Sequence, residues 1–169
     1  MQDLLQPARP LWATSQLPPL RTKESPMLCT DFVRIRELDP RDINAILARN
    51  LVGRLAFHRD ELIDIVPLHY VYADRTIYGR TTTGGKLSGI DPDGTAVAFE
   101  VDEVISMTQW CSVLIHGTLQ VFPADAEERQ NAITAVRRLD RLARRDDPMP
   151  DRNQLFRITV DNLIGRAMG

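Results

Sequence analysis

Two cations, three hydroxyls and two glycines lie within seven residues in the middle of the chain. They are Arg80, Thr81, Thr82, Thr83, Gly84, Gly85 and Lys86. Phosphate binding requires positive charge, hydroxyl donors and backbone N–H groups that can come close to the anion, and glycine permits this approach. The stretch therefore predicts a phosphate site. The alternative interpretation is a solvated strand end followed by a Gly-Gly turn.

The residues before this stretch predict a β-hairpin that would position it. Residues 62–72 and 76–82 are rich in β-branched and aromatic side chains, and the segment Ala73-Asp74-Arg75 between them is polar. The second strand of such a hairpin leads directly into the threonines. The rest of the chain is then expected to form the sheet that supports this hairpin.

The composition is that of one soluble globular domain. The chain has 169 residues, of which 43% are hydrophobic and 26% charged, and its formal net charge is −2. A basic excess is the usual signature of non-specific attraction to nucleic acid or to membranes, and this chain lacks it. The expected partners are therefore a small molecule or a second copy, with no nucleic acid and no membrane.

The two cysteines give no sign of a metal site or of a disulfide framework. Cys29 and Cys111 are far apart and have no metal-ligand spacing. Because the sequence also shows no signal-peptide pattern and no apolar run long enough to span a membrane, we expect a cytoplasmic protein.

Residues 1–30 and residues 31–169 differ in character. The first segment contains five prolines and no lasting apolar periodicity, so it is expected to be a disordered or loosely docked tail, in which Met27 is an alternative start. The second segment is the expected domain. Its first helix is predicted at Asp39-Pro40, because aspartate is a good N-cap and proline suits the first helical position.

Alternation of apolar and polar residues predicts the remaining strands. Strands are expected at residues 53–57, 95–102, 110–122 and 154–160, with the chain end at Gly165-Arg166 exposed, and a second helix is expected before the last strand. That helix is predicted to start at a capping box formed by Asp125 and Glu128. Its expected apolar stripe consists of Ile133, Val136, Leu139 and Leu142. Together with the hairpin, these elements give a mainly β protein, a six-stranded antiparallel split β-barrel with a few flanking helices.

Five segments in this order resemble the FMN-binding split-barrel family, the pyridoxamine 5'-phosphate oxidase-like and nitroimidazole-resistance-type flavoproteins. They are VGRLAF (52–57), DIVPLHYVY (64–72), IYGRTTTGGKL (77–87), AFEVD (98–102) and WCSVLIHG (110–117). The resemblance implies a homodimer with FMN bound at the subunit interface. It also implies an FMN-dependent oxidoreductase that acts on an unidentified small molecule.

The resemblance assigns the cofactor-binding residues position by position. The flavin ring would lie against Val66, Pro67 and Leu68. The phosphate would be held by Arg80, Thr81 and Lys86, with Thr82 and Thr83 beside them. Trp110 and Ser112 would approach the flavin from the partner subunit. Glu100 and Asp102 are expected to pair across an interface, with arginine as a candidate partner, rather than to act in catalysis. No side chain is singled out as a catalytic acid or base.

Two departures from the family pattern limit what is carried over. The true oxidases hold pyridoxal phosphate with a C-terminal arginine and histidine, and here only Arg166 resembles that segment. The nitroimidazole-resistance-type proteins carry a histidine near the position of Arg80. Neither vitamin B6 oxidation nor nitro-drug reduction is therefore transferred to this chain.

Two other functions stay open at this point. The same barrel could hold flavin or haem as a binding or storage protein without turnover, although haem requires an axial ligand and the sequence offers only isolated histidines such as His116. A deazaflavin could replace FMN in a reductase, but its longer acidic tail would require more basic residues near the groove.

Overall fold

The computed structural model describes residues 34–82, 87, 90–91, 94–123, 126, 129–142 and 154–169. Several predicted features lie outside these residues: the N-terminal tail, Thr83, Lys86 and the capping box of Asp125 and Glu128. The elements, in chain order, are β1 (Ile35–Glu37), α1 (Pro40–Arg49), β2 (Val52–Arg59), β3 (Leu62–Ala73), β4 (Thr76–Thr81), β5 (Thr95–Ser106), β6 (Gln109–Val121), α2 (Arg129–Leu142) and β7 (Gln154–Met168).

The strands form one antiparallel sheet that closes on itself. Its order is β1-β7-β4-β3-β2-β5-β6, and β7 pairs with β6 as well as with β4, which completes the barrel. The six predicted strands are confirmed as β2 to β7. The short strand β1 was not predicted, since its three residues are all exposed and show no alternation. It adds a pairing at the end of β7.

Alternating residues of the strands fill the barrel. Leu55, Phe99, Val113, Ile115 and Phe156 are almost completely buried, as the alternation in β2, β5, β6 and β7 predicts. Two glycines make room for the phenylalanine rings. A Cβ atom on Gly53 would lie 2.2 Å from the ring of Phe99, and one on Gly79 would lie 2.2 Å from the ring of Phe156.

Helix α1 packs into the barrel core. Asp39 caps it by accepting hydrogen bonds from the backbone N–H groups of Arg41 and Asp42, at 2.8 and 2.9 Å, as the sequence predicts. The three apolar residues of the helix, Ile43, Ile46 and Leu47, belong to the main buried cluster.

The end of β7 lies against α1. The prediction that Gly165 is exposed is therefore wrong. This glycine is buried. The side chain of Ile43 packs against it so closely that a Cβ atom at this position would lie 2.5 Å from that side chain. Arg166 next to it is exposed. The strand continues to Met168, because its last residues pair with both β6 and β1.

Helix α2 packs on the outward side of the sheet and forms a second buried cluster. Val136 and Leu139 are buried as predicted, Ile133 is only partly buried, and the smaller Ala132 is fully buried. The sheet contributes Val71, Leu155 and Phe122 to this cluster. The helix thus covers the outward side of the sheet where β3 ends and β7 begins.

Candidate functional site

The barrel has a split between β3 and β4, directly after their shared hairpin. The two strands pair only where Tyr70–Ala73 faces Thr76–Gly79. Before Tyr70, strand β3 pairs with β2 alone, and after Gly79, strand β4 pairs with β7 alone. Among the described residues, no strand therefore pairs with the edge of β3 around Pro67 on the side away from β2. Unpaired backbone groups at such an edge can serve a ligand.

The hydrogen-bond alternation shows which backbone groups face the split. The N–H of Tyr70 donates to the carbonyl of Leu51 at 3.0 Å, so Tyr70 directs its backbone groups toward β2. Because the direction alternates along a strand, Val66 and Leu68 also face β2, whereas Pro67 and His69 face the split. Proline is suited to this position, since its missing N–H costs no hydrogen bond at an open edge.

The side chains of the hairpin divide between the two sides of the sheet. Leu68 is buried in the core, Val66 packs against the core and Pro67 is exposed. The structure thus places all three predicted ring-binding residues beside the split, with the backbone groups of Pro67 directed into it. Their contact with a ligand stays a prediction.

The predicted phosphate residues begin at the same split. Thr81 turns toward the core and is the one buried polar side chain in the part of the chain that the structure describes, with 7% of its surface exposed. Arg80 lies on the outward side and is half-buried, as is Thr82. The same alternation directs the backbone groups of Arg80 toward β3, next to His69 at the end of the β3–β4 pairing.

Trp110 and Ser112 do not reach this site within one chain. Both lie on the outward side of β6 and are half-buried. Between β6 and β3 lie the strands β5 and β2, so Ser112 is about 14 Å from β3 at the usual strand spacing. If these residues serve the same ligand, a second copy must bring them there.

A polar cluster that the sequence did not reveal joins α1 to β5 and β6. The carboxylate of Glu103 accepts hydrogen bonds from Arg49 at 2.6 and 2.5 Å, from Asn50 at 2.6 Å and from the thiol of Cys111 at 3.5 Å. The hydrogen bonds from Arg49 lower the pKa of Glu103 to about 2. Burial raises the pKa of the Cys111 thiol, and its hydrogen bond to Glu103 adds to this effect. Arg49 and Glu103 are 54 positions apart, so no local pattern signals their contact.

A second ion pair lies on the outward side of the sheet, where Arg54 contacts Asp102. The sequence led us to expect Asp102 to pair with an arginine across a subunit interface, and the structure shows that this pair forms within the chain. The side chain of Arg54 is 53% exposed and that of Asp102 is 27% exposed.

The comparisons with known proteins agree with this architecture. The family model for pyridoxamine 5'-phosphate oxidase matches residues 39–167, which run from the cap of α1 to the last residue but one of β7. The chain belongs to this family. The resemblance inferred from the five sequence segments is confirmed, and so is the split-barrel fold.

The relatives of this oxidase-family chain include proteins of known structure. A FAD-binding protein from Mesorhizobium loti is 27% identical, with a TM-score of 0.67 over 80% of this chain and 99% of that one. A Bacteroides thetaiotaomicron protein described as a 5-nitroimidazole antibiotic resistance protein is 17% identical, with a TM-score of 0.61 over 81% and 89% of the two chains, and shows the fold alone.

A curated relative is an uncharacterized protein of Rhizobium meliloti (strain 1021). It is 29% identical over 93 residues, and the match spans 55% of this chain and 60% of that protein.

No helix among the described residues of this family member has the length and apolar character needed to cross a membrane.

Proposed function

We propose that this chain binds the flavin nucleotide FMN at the split between β3 and β4 and acts as a flavin-dependent oxidoreductase on a small molecule. The observation that carries the proposal is the split itself, where the open backbone edge of β3 around Pro67 lies across from Arg80 at the end of β4. Membership of the pyridoxamine 5'-phosphate oxidase family supports it, and so does the FAD-binding relative from Mesorhizobium loti.

The groups at the split fit the two ends of a flavin nucleotide. A planar ring with hydrogen-bonding edges suits the open edge of β3, where the carbonyl of Pro67 faces the split. A phosphate suits the start of the threonine stretch, where Arg80 supplies charge from the outward side. The hydroxyl of Thr81 lies on the core side of the same strand, so its part in the predicted phosphate site would be through the backbone. Lys86 would add a second cation. Thr82 and Thr83 would add hydroxyl donors.

The bound flavin would supply the redox chemistry, and the protein would position it. The open edge of β3 would bind the ring, and Arg80 with Lys86 would bind the phosphate. Ser112 of a second copy would add a polar group at the ring, and Trp110 of that copy would cover it from water. The chain is therefore proposed to be a homodimer with flavin at the subunit interface. We also propose that this dimer is located in the cytoplasm.

FAD is the second candidate cofactor, because the Mesorhizobium loti relative is a FAD-binding protein. FMN and FAD share the ring and the first phosphate, so the same residues would hold both. A role in flavin binding without turnover would use this site as well. Reduction of bound flavin by NADH or NADPH, followed by reoxidation by an added substrate, would separate the oxidoreductase from a binding protein.

The phosphate assignment is tested by replacing Arg80 and Lys86 together with alanine. Each charge-assisted hydrogen bond is worth roughly 1.5–3 kcal/mol, so we expect FMN affinity to fall at least about 100-fold. Riboflavin lacks the phosphate, and its affinity is expected to stay unchanged. Arg75→Ala is the matched control and is expected to leave FMN affinity unchanged. It also removes an arginine from this hairpin, but at the turn between β3 and β4, at the other end of β4 from Arg80. Unchanged FMN affinity in the double variant would refute the assignment.

A further inference from the structure

The last turn of α1 is completed by donors from outside the helix. The carbonyl groups of the last four residues of a helix have no partner within it, so other groups must satisfy them. Asn50 supplies two donors to the carbonyl of Ile46, its backbone N–H at 3.2 Å and its side-chain amide at 2.9 Å. The phenol of Tyr70 donates to the carbonyl of Leu47 at 2.9 Å. Strand β3 therefore takes part in holding the end of α1.

Tyr70 makes a second hydrogen bond to the same segment. Its backbone N–H donates to the carbonyl of Leu51 at 3.0 Å. The side chain is fully buried, and its ring packs edge-on against Phe99, with 5.1 Å between the ring centroids. The packing and the two hydrogen bonds together fix the backbone and the side chain of Tyr70 relative to the end of α1.

Glu103 on β5 anchors this segment from the other side, because it accepts hydrogen bonds from Arg49 and Asn50. Strand β2 has not yet begun at this level of the sheet. The strand registers place Tyr70 and Glu103 just beyond the start of β2, on its two neighbours β3 and β5. We call residues 47–51, which connect Tyr70 to Glu103, the bridge.

Tyr70 is also the residue at which the split opens. It is the first residue of β3 that pairs with β4, and it lies opposite Gly79. Before Tyr70 the edge of β3 is open around Pro67, and after Gly79 comes Arg80. The groups proposed for the flavin ring and for the phosphate thus diverge from the Tyr70–Gly79 pair, and any shift of Tyr70 changes the distance between them.

We propose that Tyr70 is a positioning residue for the flavin site, held in place by the bridge and by Glu103. This deepens the proposed function and rests on it. The phenol is buried in the core and points to α1, so it acts through the backbone of β3 and not by touching the flavin. If Tyr70 is loosened, β3 can shift against β4. The ring and the phosphate of one FMN molecule then reach their two sets of contacts less often together.

Flavin titration of Tyr70→Phe tests this role. The variant keeps the aromatic ring and removes the donor to Leu47. Riboflavin has no phosphate to place, so its affinity is expected to stay within about twofold of the wild type. The preference for FMN over riboflavin is expected to fall at least about threefold, a loss within the range of one buried hydrogen bond.

Tyr72→Phe is the matched control. The phenol of Tyr72 donates to the side chain of Asn44 on the same helix at 2.7 Å, but Tyr72 lies within the β3–β4 pairing and not at the split. This variant also removes one hydrogen bond between β3 and α1, and it is expected to leave both flavin affinities unchanged. Titration well below the melting temperature compares folded protein only, and lower stability alone does not change the dissociation constant of a folded chain.

Glu103→Ala tests the other anchor of the bridge. It removes the acceptor of Arg49 and Asn50 at a half-buried position, so the chain is expected to fold even if Tyr70→Phe does not. Its preference for FMN over riboflavin is expected to fall at least about twofold. A wild-type preference in either variant, or an equal loss in Tyr72→Phe, would overturn the proposal.

Titration of the wild type separates this inference from the proposed function. A wild type that prefers FMN over riboflavin, with variants that match it, would refute the positioning role of Tyr70 and leave flavin binding intact. A wild type that binds neither flavin would refute the proposed function, and the positioning role with it.

Discussion

Strands β3 and β7 each have one stretch of outward surface under α2 and another, more exposed stretch that α2 does not cover. Beneath α2, Val71 and Leu155 are 7% and 5% exposed. Farther along the same strands, Ile65 and Ile164 are 66% and 36% exposed. The residue types are alike and the strands are the same, so the difference lies in what is packed above them. One stretch is completed by the chain's own helix, and we propose that the other is completed by a second copy.

The largest effect is expected where the helix covers the sheet. Leu155→Ala removes a buried side chain from the second cluster and leaves a cavity, which typically costs about 2–5 kcal/mol. Urea denaturation at low protein concentration measures this loss in the free energy of unfolding. A loss below about 1 kcal/mol would show that α2 does not seal this part of the sheet.

A smaller effect is expected from the polar attachment of α1. The pKa of Glu103 is lowered to about 2, so its hydrogen bonds stabilise the fold fully above about pH 4.5 and are lost as the pH falls toward 2. Because Arg49 is 54% exposed, water screens the pair, and we expect it to contribute only about 1 kcal/mol.

Denaturation of the wild type and of Glu103→Gln between pH 6 and pH 2 measures the contribution of this carboxylate. Its pKa is lower in the folded state than in the unfolded state, so acid removes stability that the wild type has and the variant lacks. The two stability curves are expected to converge at low pH. Curves that stay parallel across this range would contradict the assignment.

The smallest effect is expected on the exposed stretch of β3. Ile65→Ala, measured at a concentration where the protein is monomeric, is expected to change the free energy of unfolding by less than about 0.5 kcal/mol, because the side chain is already exposed. The same variant is expected to weaken the dimer. A loss as large as that of Leu155→Ala would mean that Ile65 is covered within its own chain, and the comparison would fail.

The sequence predicted the elements well because each carries a local signal. Alternation around Phe99 and Val113 identified central strands, and Asp39 with Pro40 identified the start of α1. The short strand β1 has no such signal, because it is defined only by its pairing with β7. Gly165 was placed wrongly for the same reason, since its burial depends on a helix more than a hundred residues earlier in the chain.

The candidate site was predictable in composition but not in shape. The cations, hydroxyls and glycines from Arg80 to Lys86 indicated a phosphate site, and the hairpin before them is confirmed. The split depends on where β3 changes partner from β2 to β4, which is a property of the whole sheet. Likewise, only the strand order shows that Ser112 lies about 14 Å from β3 within one chain.

Absorbance titration of the purified protein with FMN, with riboflavin as the paired ligand, tests the central claim most directly. FAD, haem and a deazaflavin serve as further ligands. We predict a perturbed flavin spectrum, one FMN bound per chain, and affinity for FMN at least about tenfold higher than for riboflavin, because of the charge-assisted contacts to the phosphate. Equal affinity for the two flavins would contradict the phosphate site. A haem Soret band in place of flavin binding, or no binding of either cofactor, would contradict the function proposed for the split.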